Sequence, residues 1–318
     1  MADVVDIPEF RAFYYTDDTP RQFYTLRRYE DESGSGEMHC YNIAPGIHYL
    51  NLSSCYQPLN VQKDFLEINY CLEGGHEVEM VGGGITFLGE KDLSISGLYH
   101  DKRVIVNSRI PFNKYKGITI LLELETAQTT LDNEFSKWHI DLQKIRTTLC
   151  PEGRVLLIKS KQKIDHIFAE ILSVENQIRL PYYWLKILEI LLLLSQLDNS
   201  YVEPPQQFTE KVSRRTQQVY QYIIENPFTQ KNISEIAEIY GVSESSMKRC
   251  FKSISGASLG TFMKRKRMEA AAELLRSEPA LSVGEIASLA GYENQGKFSG
   301  AFKSVYEMTP IAYRLKYS

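Results

Sequence analysis

Two patterns of hydrophobic residues divide the chain. Up to about residue 125, short runs of strand-forming residues are separated by turns rich in glycine. Short strands at this spacing are typical of a β-sandwich or a β-barrel. We predict strands over residues 65–72, 85–88, 93–96 and 118–124, and we expect the first strand to end at Gly74-Gly75.

From about residue 127 to 198, the apolar residues repeat with the period of a helix. One stripe predicts an amphipathic helix; its residues are Val155, Ile158, Ile164, Ile167, Phe168, Ile171 and Leu172. Residues 183–197 predict a second helix that is apolar on most faces and therefore buried on several sides. The pattern leaves open whether it is buried within its own domain or against a second copy of the chain. Pro204-Pro205 then predicts a linker.

The last hundred residues are predicted to be helical and contain one pattern twice. Glu-Ile-Ala followed by Gly occurs at 235–241 and again, 50 positions later, at 285–291; Phe-Lys-Ser occurs at 251–253 and at 302–304. A helix-turn-helix needs a small residue where its helices pack, a turn and an outward second helix. The repeat therefore predicts two such units, joined by a helix over residues 259–275. Their predicted N-caps are Ser234, Ser243 and Ser282.

The second helix of each unit has an apolar stripe and a polar face. Spacings of three and four residues place the stripes at Met247, Cys250, Phe251 and Ile254, and at Phe298, Ala301, Phe302 and Val305. The predicted DNA contacts lie on the outer faces, at Ser245, Ser246, Lys248, Arg249 and Lys252, and at Gln295, Gly296, Lys297, Ser299 and Lys303. Arg249 can donate two hydrogen bonds to guanine. Gly296 and Gly300 have no side chains to contact bases. We therefore expect the second helix to contact mostly phosphates, with Gln295 as its best residue for base contacts.

The distribution of charge agrees with a DNA-binding C-terminal part. The net charge of −4 combines −9 over residues 1–208 with +5 over residues 209–318, which hold 16 Lys and Arg against 11 Asp and Glu. A basic domain behind an acidic one is expected when only one domain meets phosphate. Five scattered cysteines, and the absence of a signal region or a membrane-length apolar segment, predict a cytoplasmic protein with no membrane partner.

Residues 212–316 resemble the C-terminal module of AraC/XylS-type transcription regulators. The matching motifs include Ile236-Ala237, Arg267-Met268-Glu269-Ala270, Gly291-Tyr292, Phe302-Lys303, Thr309-Pro310 and Tyr313-Arg314. The resemblance implies a homodimer that binds double-stranded DNA and regulates transcription, usually as an activator that contacts RNA polymerase. Glu307 departs from the family, in which Gly usually precedes Thr309-Pro310, so we expect a differently shaped turn there.

The N-terminal region resembles, more loosely, the cupin-type barrels that such regulators carry as effector and dimerisation domains. This resemblance implies a small-molecule effector inside the barrel, where Tyr70, Met80 and Phe87 are the candidate contacts, although each also fits a plain core position. His76 is followed by Glu77-Val78 and not by a second histidine two residues on. We therefore predict no metal and no cofactor.

These patterns together predict a multidomain α+β protein. A cupin-like β-barrel with following helices occupies residues 1–200, a linker residues 201–210, and an all-α DNA-binding domain of two helix-turn-helix subdomains residues 211–318. Two alternatives remain open for the N-terminal domain: it binds a partner protein, or it carries an enzymatic activity. The sequence shows no nucleophile and base motif, so we predict that the chain is not an enzyme.

Overall fold

The computed structural model describes residues 15–20, 25–31, 34–53, 63–82, 84–102, 104–110, 115–158, 162–198 and 206–317. The chain divides into two compact units, Met1–Glu210 and Lys211–Ser318. The first contains a β-sheet with helices, and the second is helical, so the α+β class is confirmed. Among the helices of the described residues, none combines the length and apolar content that crossing a bilayer requires.

The N-terminal unit is built on one sheet. Its strands are β1 (Tyr15–Pro20), β2 (Thr25–Asp31), β3 (Gly34–Ala44), β4 (Ile47–Ser53), β5 (Phe65–Met80), β6 (Ile85–Gly89), β7 (Leu93–Leu98), β8 (Ile105–Arg109), β9 (Tyr115–Glu123) and β10 (Leu156–Ile158). The strand order is β1-β2-β3-β4-β9-β5-β7-β10, and all pairs are antiparallel. Strands β6 and β8 pair with the second half of β5.

Strand β5 is the centre of this sheet and is longer than the sequence pattern predicts. It does not end at Gly74-Gly75. Instead, a shift of register against β9 between Cys71 and Glu73 bends the strand, and Gly74 has a φ of 77°. A bulge of this kind redirects a strand without ending it. The first half of β5 pairs with β7 and β9, and the second half, after the bend, pairs with β6 and β8.

Four helices pack on one face of the sheet: α1 (Leu124–Phe135), α2 (Leu142–Leu149), α3 (Gln162–Ser173) and α4 (Arg179–Ser195). Alternate residues of β5, such as Leu66 and Ile68, join them in one hydrophobic core, whereas Phe65 and Cys71 face a second core on the opposite side.

The predicted amphipathic helix is partly wrong. Residues 156–158 form β10 against β7, and only the later residues of the predicted stripe lie on α3.

The described strand pairings form an open path with β1 and β10 at its two ends. They therefore do not establish the closed cupin-like barrel, which stays a prediction. Part of the predicted linker, residues 201–205, lies outside the described residues. Just after it, Phe208 exchanges both backbone hydrogen bonds with Ile85 of β6, at 2.9 and 3.1 Å, and its ring lies 6.0 Å from that of Phe87.

Among the described residues, seven helices form the C-terminal unit: α5 (Glu210–Glu225), α6 (Ile233–Ile239), α7 (Glu244–Ser255), α8 (Leu259–Ser277), α9 (Val283–Leu289), α10 (Gln295–Tyr306) and α11 (Pro310–Tyr317). We call α5–α7 the first head and α9–α11 the second head. Helix α8 connects them, and each half of α8 belongs to a different core. Phe262 and Met263 pack in the core of the first head, and Met268 and Leu275 in that of the second.

Candidate nucleic-acid interface

The first helix of each helix-turn-helix begins with a capping box. In α6, the Asn232 side chain accepts from the Glu235 N–H at 2.9 Å, and the Glu235 carboxylate accepts from the Asn232 N–H at 2.7 Å. Ser282 and Glu285 repeat this arrangement at α9. The glutamates of the repeated Glu-Ile-Ala pattern therefore satisfy backbone donors at the helix starts. The predicted cap at Ser234 is wrong, since Asn232 occupies that position.

The turn that follows each of these helices contains a left-handed glycine. Gly241 has a φ of 58° and Gly291 a φ of 76°, values that residues with a Cβ rarely adopt. The Arg215 guanidinium covers the first turn and donates to the carbonyl oxygens of Gly241 and, at 2.7 Å, Tyr240. The second helices then start at the caps Ser243 and Asn294. The predicted caps are thus confirmed at Ser243 for α7 and at Ser282 for α9.

The second helices, α7 and α10, bury the predicted stripes. Met247, Cys250, Phe251 and Ile254 are all buried in the first head. Phe298 and Phe302 are completely buried in the second, while Ala301 and Val305 are half-buried. Burial of these stripes fixes which face of each helix is turned outward.

The outward faces carry the predicted DNA contacts. In α7, Ser245, Lys248, Arg249 and Lys252 are exposed and Ser246 is half-buried; in α10, Gln295, Gly296, Lys297 and Lys303 are exposed and Ser299 is half-buried. The five residues of each set thus lie outside the buried stripe of their helix. Whether they touch DNA stays a prediction.

An acidic residue restrains one lysine on each of these faces. Glu244 forms an ion pair with Lys248 at 2.5 Å, and Glu293 forms one with Lys297 at the same distance. Arg249, in contrast, is in none of the ion pairs found among the described residues. Lys248 and Lys297 must exchange a carboxylate for a phosphate or base, whereas Arg249 is available without such an exchange. Sequence reasoning missed both glutamates, although the spacing of four residues is the signal that reveals such pairs.

The turn after α10 keeps the shape that a glycine would give it. Glu307 has φ 60° and ψ 6°, and Gly256, which ends α7, has φ 69° and ψ −9°. The N–H of each residue donates to the carbonyl of the residue four positions earlier, at 2.9 and 3.0 Å. The expectation of a differently shaped turn is therefore wrong. Glu307 adopts a left-handed conformation that is unfavourable for a residue with a Cβ.

The three predicted effector contacts lie in different places. Tyr70 donates to Asp165 at 3.0 Å and stacks on Phe168 of α3 with ring centroids 4.0 Å apart. Met80 lines a cavity of about 20 Å³ on the other face of the sheet, a volume that suits one water molecule. Phe87 contacts Phe208. The structure does not bring these residues together in one pocket.

A larger cleft lies beside the start of β5. It has a volume of about 400 Å³ and is lined by Lys63, Asp64, His100, Glu123, Leu124, Glu125, Gln143 and Arg146. Asp64 accepts from Arg146 Nη1 at 2.6 Å and lies 2.7 Å from His100 Nδ1. Burial acts to raise the pKa of Asp64, but the hydrogen bonds from Arg146 and His100 outweigh it and lower the pKa to about 2.

Comparison with known proteins agrees with the geometry of the C-terminal unit. Residues 236–316 match the family model described as a helix-turn-helix domain. An uncharacterized HTH-type transcriptional regulator of Haemophilus influenzae is 33% identical over 92 residues, which cover 29% of this chain and 30% of that protein. The regulator MtrA of Neisseria gonorrhoeae is 32% identical over 101 residues, which cover 32% of this chain and 33% of MtrA.

A solved structure gives a match of the same extent. The C-terminal domain of AraT, a response regulator from Geobacillus stearothermophilus, is 34% identical, and the match covers 34% of this chain and 86% of that domain, with a TM-score of 0.30. Residues 236–316 are therefore a helix-turn-helix domain of the type found in AraC/XylS transcription regulators. The chain thus spans about a third of the length of each of these two relatives.

Proposed function

We propose that the chain is a sequence-specific transcription regulator whose helices α7 and α10 enter successive major grooves of double-stranded DNA. The observation that carries this proposal is the pair of similarly built heads, each with an exposed, polar and basic outer helix face. Helix α8 has 19 residues, which corresponds to a length of about 28 Å. Successive major grooves on one side of B-DNA lie about 34 Å apart. The length of α8 is close to this spacing, so two heads at its ends can reach successive grooves.

The two heads have different roles in this proposal. Arg249 reads a guanine in the groove occupied by α7, because its guanidinium is exposed and in none of the described ion pairs. Helix α10 offers Gly296 and Gly300 where side chains would probe the bases, so Lys297 and Lys303 act mainly on phosphates and Gln295 is its base reader. Phosphate contacts contribute affinity and salt dependence, and base contacts contribute specificity.

Selection of genomic fragments by the purified chain, followed by binding measurements on the preferred fragment, tests these roles. We expect Arg249→Ala to weaken binding to that fragment by about 5- to 150-fold, the equivalent of roughly 1–3 kcal/mol for a bidentate contact to a base pair. Arg276→Ala is the matched control. It removes an equal charge from an exposed position on α8, where Arg276 pairs with Glu273 in the same helix.

Discrimination between the preferred and a scrambled fragment separates base reading from simple charge. Arg249→Ala should lose this discrimination, and the Arg276→Ala control should keep it. Equal losses in the two variants would show that Arg249 acts only as a charge. The whole proposal fails if the purified chain selects no fragment even at low salt, where phosphate contacts are strongest.

We further propose that a small molecule controls the regulator by binding to the N-terminal unit. The cleft beside Asp64 supports this, because its volume of about 400 Å³ lies in the range of ligand pockets. The cavity at Met80 holds no more than a water molecule unless its lining moves. The cleft presents carboxylates and cations side by side, which suits a ligand with several polar groups.

A thermal-shift screen with sugars, amino acids and their derivatives tests the effector, since a ligand in excess of its Kd raises the melting temperature. A hit that binds in the cleft should lose its shift in Glu125→Gln, while Glu134→Gln, an equal change on the same helix α1 but outside the cleft, should retain it. A hit unaffected by Glu125→Gln places the effector elsewhere, and the absence of any hit favours a partner protein.

The chain also acts with protein partners. Leu185, Leu192 and Leu193 of α4 are 60, 37 and 39% exposed, and this apolar face supports assembly of the chain as a homodimer. Activation through contact with RNA polymerase, and action in the cytoplasm, follow the usual behaviour of the family. The proposal includes no enzymatic activity.

A further inference from the structure

The loop between α5 and α6, residues 226–231, reaches from the first head to the second. The side chain of Gln230 lies directly over Gly291, in the turn of the second helix-turn-helix. A Cβ placed on Gly291 would come within 2.3 Å of both polar atoms of the Gln230 amide. The Gln230 amide therefore packs against the backbone of Gly291, and the φ of 76° favours glycine at this position.

Several contacts hold this loop in place. Arg267 Nη2 donates to the Thr229 carbonyl at 2.8 Å, and the hydroxyls of Thr229 and Tyr222 share a hydrogen bond of 2.9 Å. Gln230 Nε2 itself donates to the Phe228 carbonyl at 2.8 Å. The Phe228 ring packs against the core that α8 forms with the second head. Gln230 thus contacts Gly291 from a loop that is anchored on both α5 and α8.

A second contact joins the heads on α8. Lys264 Nζ donates to Ser304 Oγ of α10 at 2.9 Å. A single connecting helix leaves bending and twisting between two domains, and side-chain contacts across the joint restrict both. Gln230 and Lys264 supply such contacts at two different places.

We propose that Gln230 and Lys264 are positioning residues that lock the two heads in one relative orientation and so set the spacing of the two DNA segments that the chain recognises. This inference rests on the proposed binding of both heads. One inserted base pair rotates the second segment by about 34–36° about the DNA axis, given 10–10.5 base pairs per turn. A rigid pair of heads cannot follow this rotation without losing contacts, whereas a loosened pair adapts.

The test compares the full chain with the double variant Gln230→Ala/Lys264→Ala on the selected fragment. The matched control is Gln221→Ala/Lys266→Ala, which removes the same side-chain types. Gln221 and Lys266 donate to glutamates of their own helices, and Lys266 also lies over the Phe262 ring of its own helix, so these contacts do not join the heads. Base pairs are inserted one at a time between the segments protected by the two heads. The measured quantity is the ratio of affinities with and without insertion.

We expect wild type and the control to bind the lengthened fragments much more weakly than the original. The double variant should reduce this penalty by about fivefold, the factor equivalent to about 1 kcal/mol for one hydrogen bond. Equal penalties in all three proteins would overturn the inference and leave the proposed function intact. If wild type protects only one groove, both the two-head proposal and this inference are wrong.

A measurement without DNA provides a second readout. Spin labels at Ser245→Cys and Gln295→Cys, both exposed positions on the recognition helices, report the distance between the heads. In a Cys55→Ser background the other four cysteines are buried. The distance distribution should be narrow in wild type and in the control and broader in the double variant. An unchanged distribution, with an unchanged melting temperature, would contradict the positioning role.

Discussion

The left-handed turn at Glu307 predicts a change in stability when this residue is replaced by glycine. Gly256, at the matching position of the first head, provides the control. Glu307 and Gly256 end the two recognition helices with nearly the same backbone angles, φ 60° and 69°. A residue with a Cβ destabilises the folded state by roughly 1–2 kcal/mol in this left-handed region. Glycine avoids this cost, but its backbone loses more conformational entropy on folding, which lowers the free energy of unfolding by about 0.4–1 kcal/mol. The exposed Glu307 side chain is in none of the ion pairs found among the described residues, so Glu307→Gly should raise the free energy of unfolding by about 0.5–1 kcal/mol.

Gly256→Ala is the mirror experiment. A Cβ at Gly256 would meet no atom within 4 Å, so the substitution changes backbone preference without introducing a clash. We expect it to lower the free energy of unfolding by about 0.5–1 kcal/mol, the same amount with the opposite sign.

Thermal unfolding followed by circular dichroism at 222 nm is the assay. For a helical unit of this size, the predicted change corresponds to a shift of about 2–8 °C in Tm. Both tryptophans, Trp138 and Trp184, lie in the N-terminal unit, so their fluorescence follows that unit separately and should not shift. Destabilisation by Glu307→Gly, or no loss in Gly256→Ala, would refute the account of this turn.

Three further predictions concern charge, assembly and pH. Glu244→Gln frees Lys248, so affinity for any DNA should rise and the slope of log affinity against log salt should steepen by up to about 0.9, as measured by titration at several salt concentrations. Leu185→Glu should raise the dimer dissociation constant at least about tenfold in analytical ultracentrifugation, since burial of a leucine contributes roughly 1.5–3 kcal/mol. The pKa of Asp64 is about 2 when folded, against a usual 3.8, because hydrogen bonds from Arg146 and His100 outweigh burial. Its stabilising effect is therefore complete above about pH 4 and is lost as pH falls towards 2, so urea unfolding of wild type and Asp64→Asn should differ at pH 6 and converge at low pH.

Each of these experiments has its own control. Glu238→Gln removes a charge from an exposed position of α6 that is in none of the described ion pairs, and it should steepen the salt slope less than Glu244→Gln does. Leu315→Glu changes the leucine that is most exposed among the described residues, 82% accessible on α11, and should leave the dimer intact. For Asp64, a difference from Asp64→Asn that is independent of pH would show that the carboxylate acts through packing and not through its charge.

Much of the C-terminal unit was predictable because its signals are local. The capping glutamates Glu235 and Glu285, the turn glycines and the stripe from Met247 to Ile254 all act within a few residues along the chain. Their repetition 50 positions apart identified both heads. The outward faces followed, since burial of one stripe leaves only the opposite face of a helix exposed.

Tertiary structure decided the features that depend on residues far apart in the chain. Strand β9 lies between β4 and β5, and residues 156–158 became a strand because β7 offered them a free edge. Glu307 takes a left-handed conformation against its local preference, and the nearby Tyr306 and Tyr313 pack against the core of the second head. The contact of Gln230 with Gly291 spans 61 positions, and no periodicity along the chain encodes such a pairing. Sequence patterns determine elements and their faces over short range, whereas the partners of those faces are chosen by packing across the whole domain.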